Sequence, residues 1–240
     1  MINGVPMNGM ENQKVYWSNW AGLSDVTRTM QVQRGLGAAK VSSPAVGGSI
    51  NIVTMGADAE KGGSVSYAMG NDGYNKLLFT VSSGLTKNGW AFTLLGGKTW
   101  GDGYIQGTEF EGYNWFASIT KRFNDKHQLS LTAFGAPQWH NQRNSANGLS
   151  IKEWQRVKQY MGDDSPYKYN PTFGYDKYGR ARNSSRNEYH KPQISLNHLG
   201  QIDHKSSLST ALYVSIGRGN GYSGNGDSEH RSLWYGATDG

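Results

Sequence analysis

The sequence predicts a mainly β chain of antiparallel strands, belonging to a transmembrane barrel that its 240 residues leave incomplete. Three observations predict this class. From Gly62 onward, segments of about ten residues alternate polar and apolar side chains with a period of two, the signal of a strand with unlike faces. The connections between those segments alternate between short polar turns and much longer loops, as in a membrane barrel with one tight rim and one elaborate rim. The chain also holds 33 glycines, 14 tyrosines and 8 tryptophans but only 6 prolines, with 36% hydrophobic residues. Without a Gly-X-Y period, that mixture suits many short strands and turns.

In chain order, residues 1–56 alternate less regularly and are rich in turn residues. Met30 to Gly35 reads as a strand ending at a glycine turn, and Val46 to Thr54 as a Gly-Gly turn entering a β-branched strand. The barrel pattern then begins. Ser64 to Gly70 sets Val65, Tyr67 and Met69 on one face, and Lys76 to Ser83 sets Leu77, Phe79 and Val81 together. Gly89 to Thr99 follows. Tyr113 to Phe123 carries Trp115, Ala117 and Ile119 opposite Ser118 and Thr120. Gln128 to Gly135 alternates Leu129, Leu131 and Ala133 with Ser130 and Thr132, and Gln193 to Ile202 carries Ile194 and Leu196. Ser207 to Gly217 sets Leu208, Leu212, Val214 and Ile216 against serines and Tyr213. A last strand is expected near Leu233 to Tyr235, giving seven or eight in residues 62–240. The apolar sets of Leu77/Phe79/Val81, Leu129/Leu131 and Leu212/Val214/Ile216 should form one outward band.

The short turns are Thr86 to Gly89, Asn124 to Lys126 and Asp203 to Ser206, each with Asn, Asp or Gly. The long connections are Gly101 to Gly112, roughly 55 residues from Ala136 to Pro192, and glycine-rich sequence from Arg218. Inside the longest, Ser150 to Glu153 is a capping box, followed by Ile151, Trp154, Val157 and Met161 at helical spacing. A soluble β-sandwich with one large insertion is the competing reading, but its loops need not alternate by length.

No run approaches the ~18 apolar residues of a transmembrane helix. Low hydropathy is compatible with a barrel, whose strands offer only alternate residues to lipid. Met1 to Pro6 has neither a basic start nor an apolar stretch, so no signal peptide is visible. Cysteine is absent, which removes disulfides and thiolate chemistry.

Val32-Gln33-Arg34-Gly35, about ten small-residue positions, then Gly47-Gly48-Ser49-Ile50-Asn51-Ile52-Val53-Thr54 resembles the end of the plug domain of TonB-dependent outer-membrane receptors, in a Bacteroidetes-like form. Ile2-Asn3-Gly4-Val5-Pro6 is similar to an earlier plug strand, and Gly62 to Tyr67 to the first barrel strand that follows the plug. The chain departs from the family at Leu36, where proline is usual, and at Val41 to Pro44, where a Tyr-Gly pair is common. The resemblance implies that residues 1–56 are the C-terminal part of a plug and 62–240 the first strands of a barrel of ~22. It implies a fragment of a Gram-negative outer-membrane receptor for energised uptake of a scarce nutrient, of the ferric chelate, vitamin or glycan class. The implied partners are a TonB-type energy-transducing protein acting through a segment outside the chain, outer-membrane lipid, a small-molecule or oligosaccharide ligand, and a surface lipoprotein. Arg34, Gly35, Gly47, Gly48 and Asn51 are the implied plug motif. The alternative is a non-transporting outer-membrane or surface binding protein, such as an adhesin.

Binding surfaces are therefore sought rather than catalytic pairs. Trp17 and Trp20, in Tyr16 to Trp20, suit a ligand platform, and equally the packing of plug on wall. The loop from Ala136 to Lys191 holds ten Lys and Arg against five Asp and Glu, giving +5 of the chain's +6, with tyrosines interleaved. Trp139 and Arg143 are its candidate ligand-binding residues. Such a loop suits steering of an anion, and equally a solvated or headgroup-facing surface. Nucleic acid is a poor reading, because the charge is local and no binding motif appears. Gly219 to Gly224 matches Gly-x-Gly-x-x-Gly but lacks the following helix a dinucleotide needs. The six histidines show no ligand spacing, so no metal site, cofactor or enzyme activity is assigned.

Overall fold

The structure, a computed structural model, describes residues 1–9, 11–35, 47–143 and 149–222. The strand expected at Leu233 to Tyr235, the small-residue segment 36–46 and the last two positions of Gly219 to Gly224 lie outside the described residues.

The plug portion holds two 3-10 turns, Trp17–Trp20 and Leu23–Val26, and an antiparallel hairpin of β1 (Thr27–Arg34) and β2 (Gly48–Thr54). The glycines of the sequence motif have a local cause. Gly48 sits at φ +129°, and a Cβ there would lie 2.3 Å from the Gln33 carbonyl oxygen. Gly35 closes the other side of the hairpin at φ +75°, where an L side chain is strained. Ile2 bridges in parallel to Ile52. Asn3 clamps the pair, its side-chain oxygen accepting from the Thr54 N–H at 2.9 Å while its amide donates to Thr54 Oγ1 at 2.9 Å.

The wall is one ten-stranded antiparallel sheet. It contains β3 (Gly62–Met69), β4 (Asn75–Ser82), β5 (Trp90–Gly101), β6 (Phe110–Arg122), β7 (His127–Gly135) and β8 (Gln138–Asn141). The long loop that follows carries α1 (Ile151–Met161) and a small separate hairpin of β9 (Phe173–Tyr175) and β10 (Ala181–Asn183). Beyond it the wall continues with β11 (Arg186–His190), β12 (Gln193–Gln201), β13 (Ser207–Ser215) and β14 (Arg218–Tyr222).

One expectation needs correction. The region from Ala136 to Pro192 is not loop throughout, and strand also resumes at Arg218. β6 pairs first with β7 and then with β8; β11 pairs with β8 and β14, as β12 pairs with β7 and β13. Each couple is therefore one long strand with a short break, at Ala136-Pro137, Lys191-Pro192 and Ile216-Gly217. Proline lacks the N–H a ladder requires, so two of these breaks follow from the sequence. Among the described residues seven long strands result, and their connections run short at one rim and long at the other.

Register shows why the sequence alternates. Val65 faces Phe79, Val81 faces Leu94, Leu94 faces Ala117, Ile119 faces Leu131, Leu131 faces Leu196, and Leu196 faces Leu212. These residues form one continuous outward band. Lysines with aromatic rings bound it at both ends: Lys121 lies 4.9 Å from the Trp90 ring, and Lys98 lies 5.2 Å from both Trp100 and Tyr113. At about 3.4 Å per residue, Trp90 to Lys98 spans roughly 27 Å along the strand. A tilt of ~40° leaves about 21 Å of membrane normal, near the ~25 Å apolar band of outer-membrane barrels. Among the described residues no helix is long and apolar enough to cross a membrane.

The opposite face receives the plug. Ile2, Val5, Trp20, Val26 and Ile52 pack against Leu95, Phe116 and Phe134 in one buried cluster. Polar inward residues surround that patch, including Ser118, Thr120, Thr132 and Ser195, all buried. The plug thus buries its own apolar side against a short apolar patch on an otherwise polar inner wall.

Candidate ligand-binding site

The two 3-10 turns lie towards the long-loop rim, and between them and the wall opens a cleft of about 250 Å³. Ala21 and Gly22 form its plug side; Tyr74, Lys76, Thr99, Phe110, Asn114, Gln138 and His140 reach it from the wall. The register explains this gathering, since alternate residues of β4, β5, β6 and β8 point inward at the same height. Tyr74 and Phe110 form a tilted ring pair with centroids 6.4 Å apart, and His140 meets Tyr189 edge-on at 6.0 Å.

Two polar links bind the plug to the wall at this level. Lys76 Nζ bonds both carboxylate oxygens of Asp25, at 2.9 and 2.8 Å, in a largely buried ion pair. The Gln138 amide donates to the Ser18 carbonyl. Deeper down, the Asn197 amide donates to the Asn3 carbonyl at 2.8 Å. The apolar cluster around Trp20 lies below the cleft and separates it from a second cavity of about 290 Å³ near the short-turn rim. Asn3, Asn51, Thr54, Ser130 and Asn197 are among the residues lining that lower cavity.

The candidates from the sequence occupy different surroundings. Trp17 is exposed beside the cleft; Trp20 is 5% exposed, in the apolar cluster, with its indole N–H unpartnered. Trp139 points to the outer side of the wall, where the Arg186 guanidinium lies 4.3 Å from its ring. Arg143 donates to the carbonyls of Tyr167 and Tyr169 at 3.0 and 3.4 Å, holding the loop together. Of the plug motif, Arg34 is exposed at the hairpin end, Gly47 lies beside Gly48, and Asn51 is partly buried over the lower cavity.

The capping box forms in both directions, between Ser150 and Glu153, and Val157 and Met161 are buried while Ile151 is exposed. Asn170, 1% exposed, bonds the carbonyls of Gln106 and Gln142, and Asn183 bonds those of Gly107 and Gln142. At the hairpin of β9 and β10, partial burial would raise the Asp176 carboxyl. Bonds from the Arg180 and Tyr178 N–H groups and from the Arg180 guanidinium outweigh it, lowering the pKa to about 2.

Sequence reasoning missed Tyr74, Lys76, Phe110, Gln138 and His140, because no local pattern tells which strand ends share one cleft. It also missed a histidine pair. His127 and His198 stack with centroids 5.6 Å apart although 71 residues separate them.

No family model matches the chain. Two curated proteins named vitamin B12 transporter BtuB are similar to it. The protein from Photobacterium profundum is 31% identical over 143 residues, covering 56% of this chain and 23% of the relative. The one from Vibrio vulnificus is 30% identical over 114 residues, covering 45% and 19%. The chain therefore spans less than a quarter of these relatives' length. Among solved structures, the unliganded ferric citrate transporter FecA superposes with a TM-score of 0.63 at 16% identity, over 94% of this chain and 32% of its own. The siderophore receptor PiuA of Acinetobacter baumannii gives 0.63 at 15% identity, over 92% and 30%. The closed form of the ferric-catecholate import receptor Fiu of E. coli K12 gives 0.62 at 13% identity, over 92% and 29%. With a partial plug packed on the inner face of an unclosed wall whose outer face is banded for lipid, the chain has the fold of the TonB-dependent receptors of the Gram-negative outer membrane.

Proposed function

We propose that the chain is part of a receptor that captures a scarce nutrient at the outer rim and admits it when a TonB-type protein pulls on the plug. The carrying observation is the two-sided wall: an apolar outer band facing lipid and, on the same strands, an inner face holding a plug by a small apolar cluster and few polar links. A contact of that size suits a part that must be held closed yet released under load. In this reading residues 1–56 end the plug and residues 62–240 begin the barrel. Ligand meets the cleft beside Trp17, while Trp20, Trp139 and Arg143 hold the surfaces around it. Outer-membrane lipid contacts the belts at Trp90 and Tyr113, and a surface lipoprotein meets the long-loop rim. The names of the similar proteins support ferric chelates and vitamin B12 as nutrient classes to try.

The test is import into whole cells that make the full-length receptor, with radiolabelled cyanocobalamin and ferric citrate. Accumulation that stops with a protonophore, and in cells lacking the TonB-type protein, is expected. Surface binding without energy-dependent accumulation would replace this reading with a non-transporting binding protein.

A further inference from the structure

We infer that His127 and His198 form a chelating site for a divalent transition-metal ion of the copper, nickel or zinc class. The site lies on the outward face of the wall, on the side away from the plug. Position, spacing and donor chemistry carry this.

Position comes from the ladder. β7 and β12 pair through eight consecutive residues, from Phe134 opposite Gln193 to His127 opposite Gly200. His127 shares a face of β7 with Leu129 and Leu131, and His198 shares a face of β12 with Leu196 and Gly200. Both rings therefore stand on the outward side, at the short-turn edge of the apolar band. Gly200 permits the diagonal contact between them. A Cβ there would fall 2.8 Å from His198 Cε1 and 3.2 Å from His127 Nδ1, so a side chain at this position would part the rings. β7 is also paired with β6, and β12 with β13. The two donors are thus ordered by folding and not by ion capture.

The spacing fits a shared ion. His127 Nδ1 lies 3.4 Å from His198 Nε2, and the ring planes differ by 14°. Two metal–imidazole bonds of ~2.0–2.1 Å at a tetrahedral angle hold their nitrogens about 3.3–3.4 Å apart. Without an ion, one facing nitrogen donates its proton to the other in a single N–H···N bond. When an ion enters, that proton passes through water to the far nitrogen of its own ring, and both facing lone pairs become ligands. Both rings are part exposed, so each can turn about its Cβ–Cγ bond towards the ion. The donor set then selects the metal. Among the described residues neither ring makes another hydrogen bond, and no third histidine or carboxylate joins the pair. Water completes the coordination sphere. Imidazole with water suits Cu²⁺, Ni²⁺ and Zn²⁺, whereas Ca²⁺ and Mg²⁺ require oxygen ligands. Once bound, the ion clips β7 to β12 and stabilises the folded wall by mass action.

The experiment titrates Cu²⁺, Zn²⁺ and Ca²⁺ into the purified full-length receptor and follows the copper by electron paramagnetic resonance. A copper signal with two imidazole nitrogens is expected, and Ca²⁺ should not compete for it. His127→Gln and His198→Gln should each weaken that site at least tenfold, while the metal-free urea midpoint stays at the parent value. Zn²⁺ should raise the midpoint of the parent and of neither variant. On the parent alone, Zn²⁺ should protect His127 and His198 together from diethyl pyrocarbonate, read by mass spectrometry, so the site is tested even where a variant misfolds. A copper signal that both variants leave unchanged overturns the inference. So does modification of the two histidines at the same rate with and without Zn²⁺. Neither result bears on nutrient uptake, which import into whole cells measures separately.

Discussion

Replacing Trp20 distinguishes a packing tryptophan from a ligand platform. Its ring is 5% exposed among Ile2, Val26, Ile52, Phe116 and Phe134, and its indole N–H has no acceptor. Trp20→Ala removes the largest plug side chain in that cluster and should cost about 3–5 kcal/mol, as for other buried aromatic truncations. Trp20→Phe behaves differently. The lost volume of roughly 40 Å³ costs about 1 kcal/mol at ~24 cal/mol per Å³. Deleting a buried unsatisfied N–H returns about 1–3 kcal/mol. Together they leave Trp20→Phe between about equal to the parent and about 2 kcal/mol more stable. Amide exchange of Ile52 and Val53 in the full-length receptor reports local release of the plug. A loss of 3–5 kcal/mol accelerates that exchange by roughly 10²–10⁴-fold where release is the opening event. Trp20→Phe should exchange no faster than the parent and at most about thirtyfold slower. Exchange in Trp20→Ala within threefold of the parent would refute the packing account, as would loss of ligand binding in Trp20→Phe without any change in exchange.

Further outcomes follow from other parts of the molecule. Gly48→Ala places a Cβ against the Gln33 carbonyl in a backbone region costing about 1–3 kcal/mol, and limited proteolysis should cut the plug hairpin faster while the wall stays protected. Leu94→Arg, within the outward band, should lower folding stability in lipid vesicles by about 2–4 kcal/mol; an unchanged urea midpoint would argue that this face does not meet lipid. Asp176 titrates near 2, below its ordinary 3.8. Its contribution to the hairpin of β9 and β10 is therefore complete above the ordinary value and lost as pH falls towards 2. Protection factors for amide exchange at Tyr178 and Arg180 should fall in that window, and in Asp176→Asn they should be low at every pH.

The outward band was legible because lipid imposes one rule on every second residue of a strand, as at Leu77, Phe79 and Val81. Strand continuations at Gln138 to Asn141 and Arg186 to His190 were not, for a related reason. They lie beyond the apolar band, where neither face needs to be apolar, and Pro137 and Pro192 break the run at its edge. The two plug strands were readable beside Gly35 and Gly48, whose backbone angles leave few residue choices, but their pairing with each other was not. The cleft was not readable, because Tyr74, Phe110 and His140 meet through strand register and the height of each turn. The basic character of the long loop was plain in the sequence. Its pairings were not, and they direct much of that charge away from the cleft.

The buried Asn170 amide and the half-buried Asn183 amide have a thermodynamic consequence for the long loop. By tying residues 168–184 to the tips of β5, β6 and β8, they make the chain lose its conformational entropy during folding rather than at ligand capture. Helix α1, capped at Ser150 and seated through Val157 and Met161, is held within this prearranged rim. A surface substitution on it should therefore change the strength of a contact without first changing the probability that the rim exists.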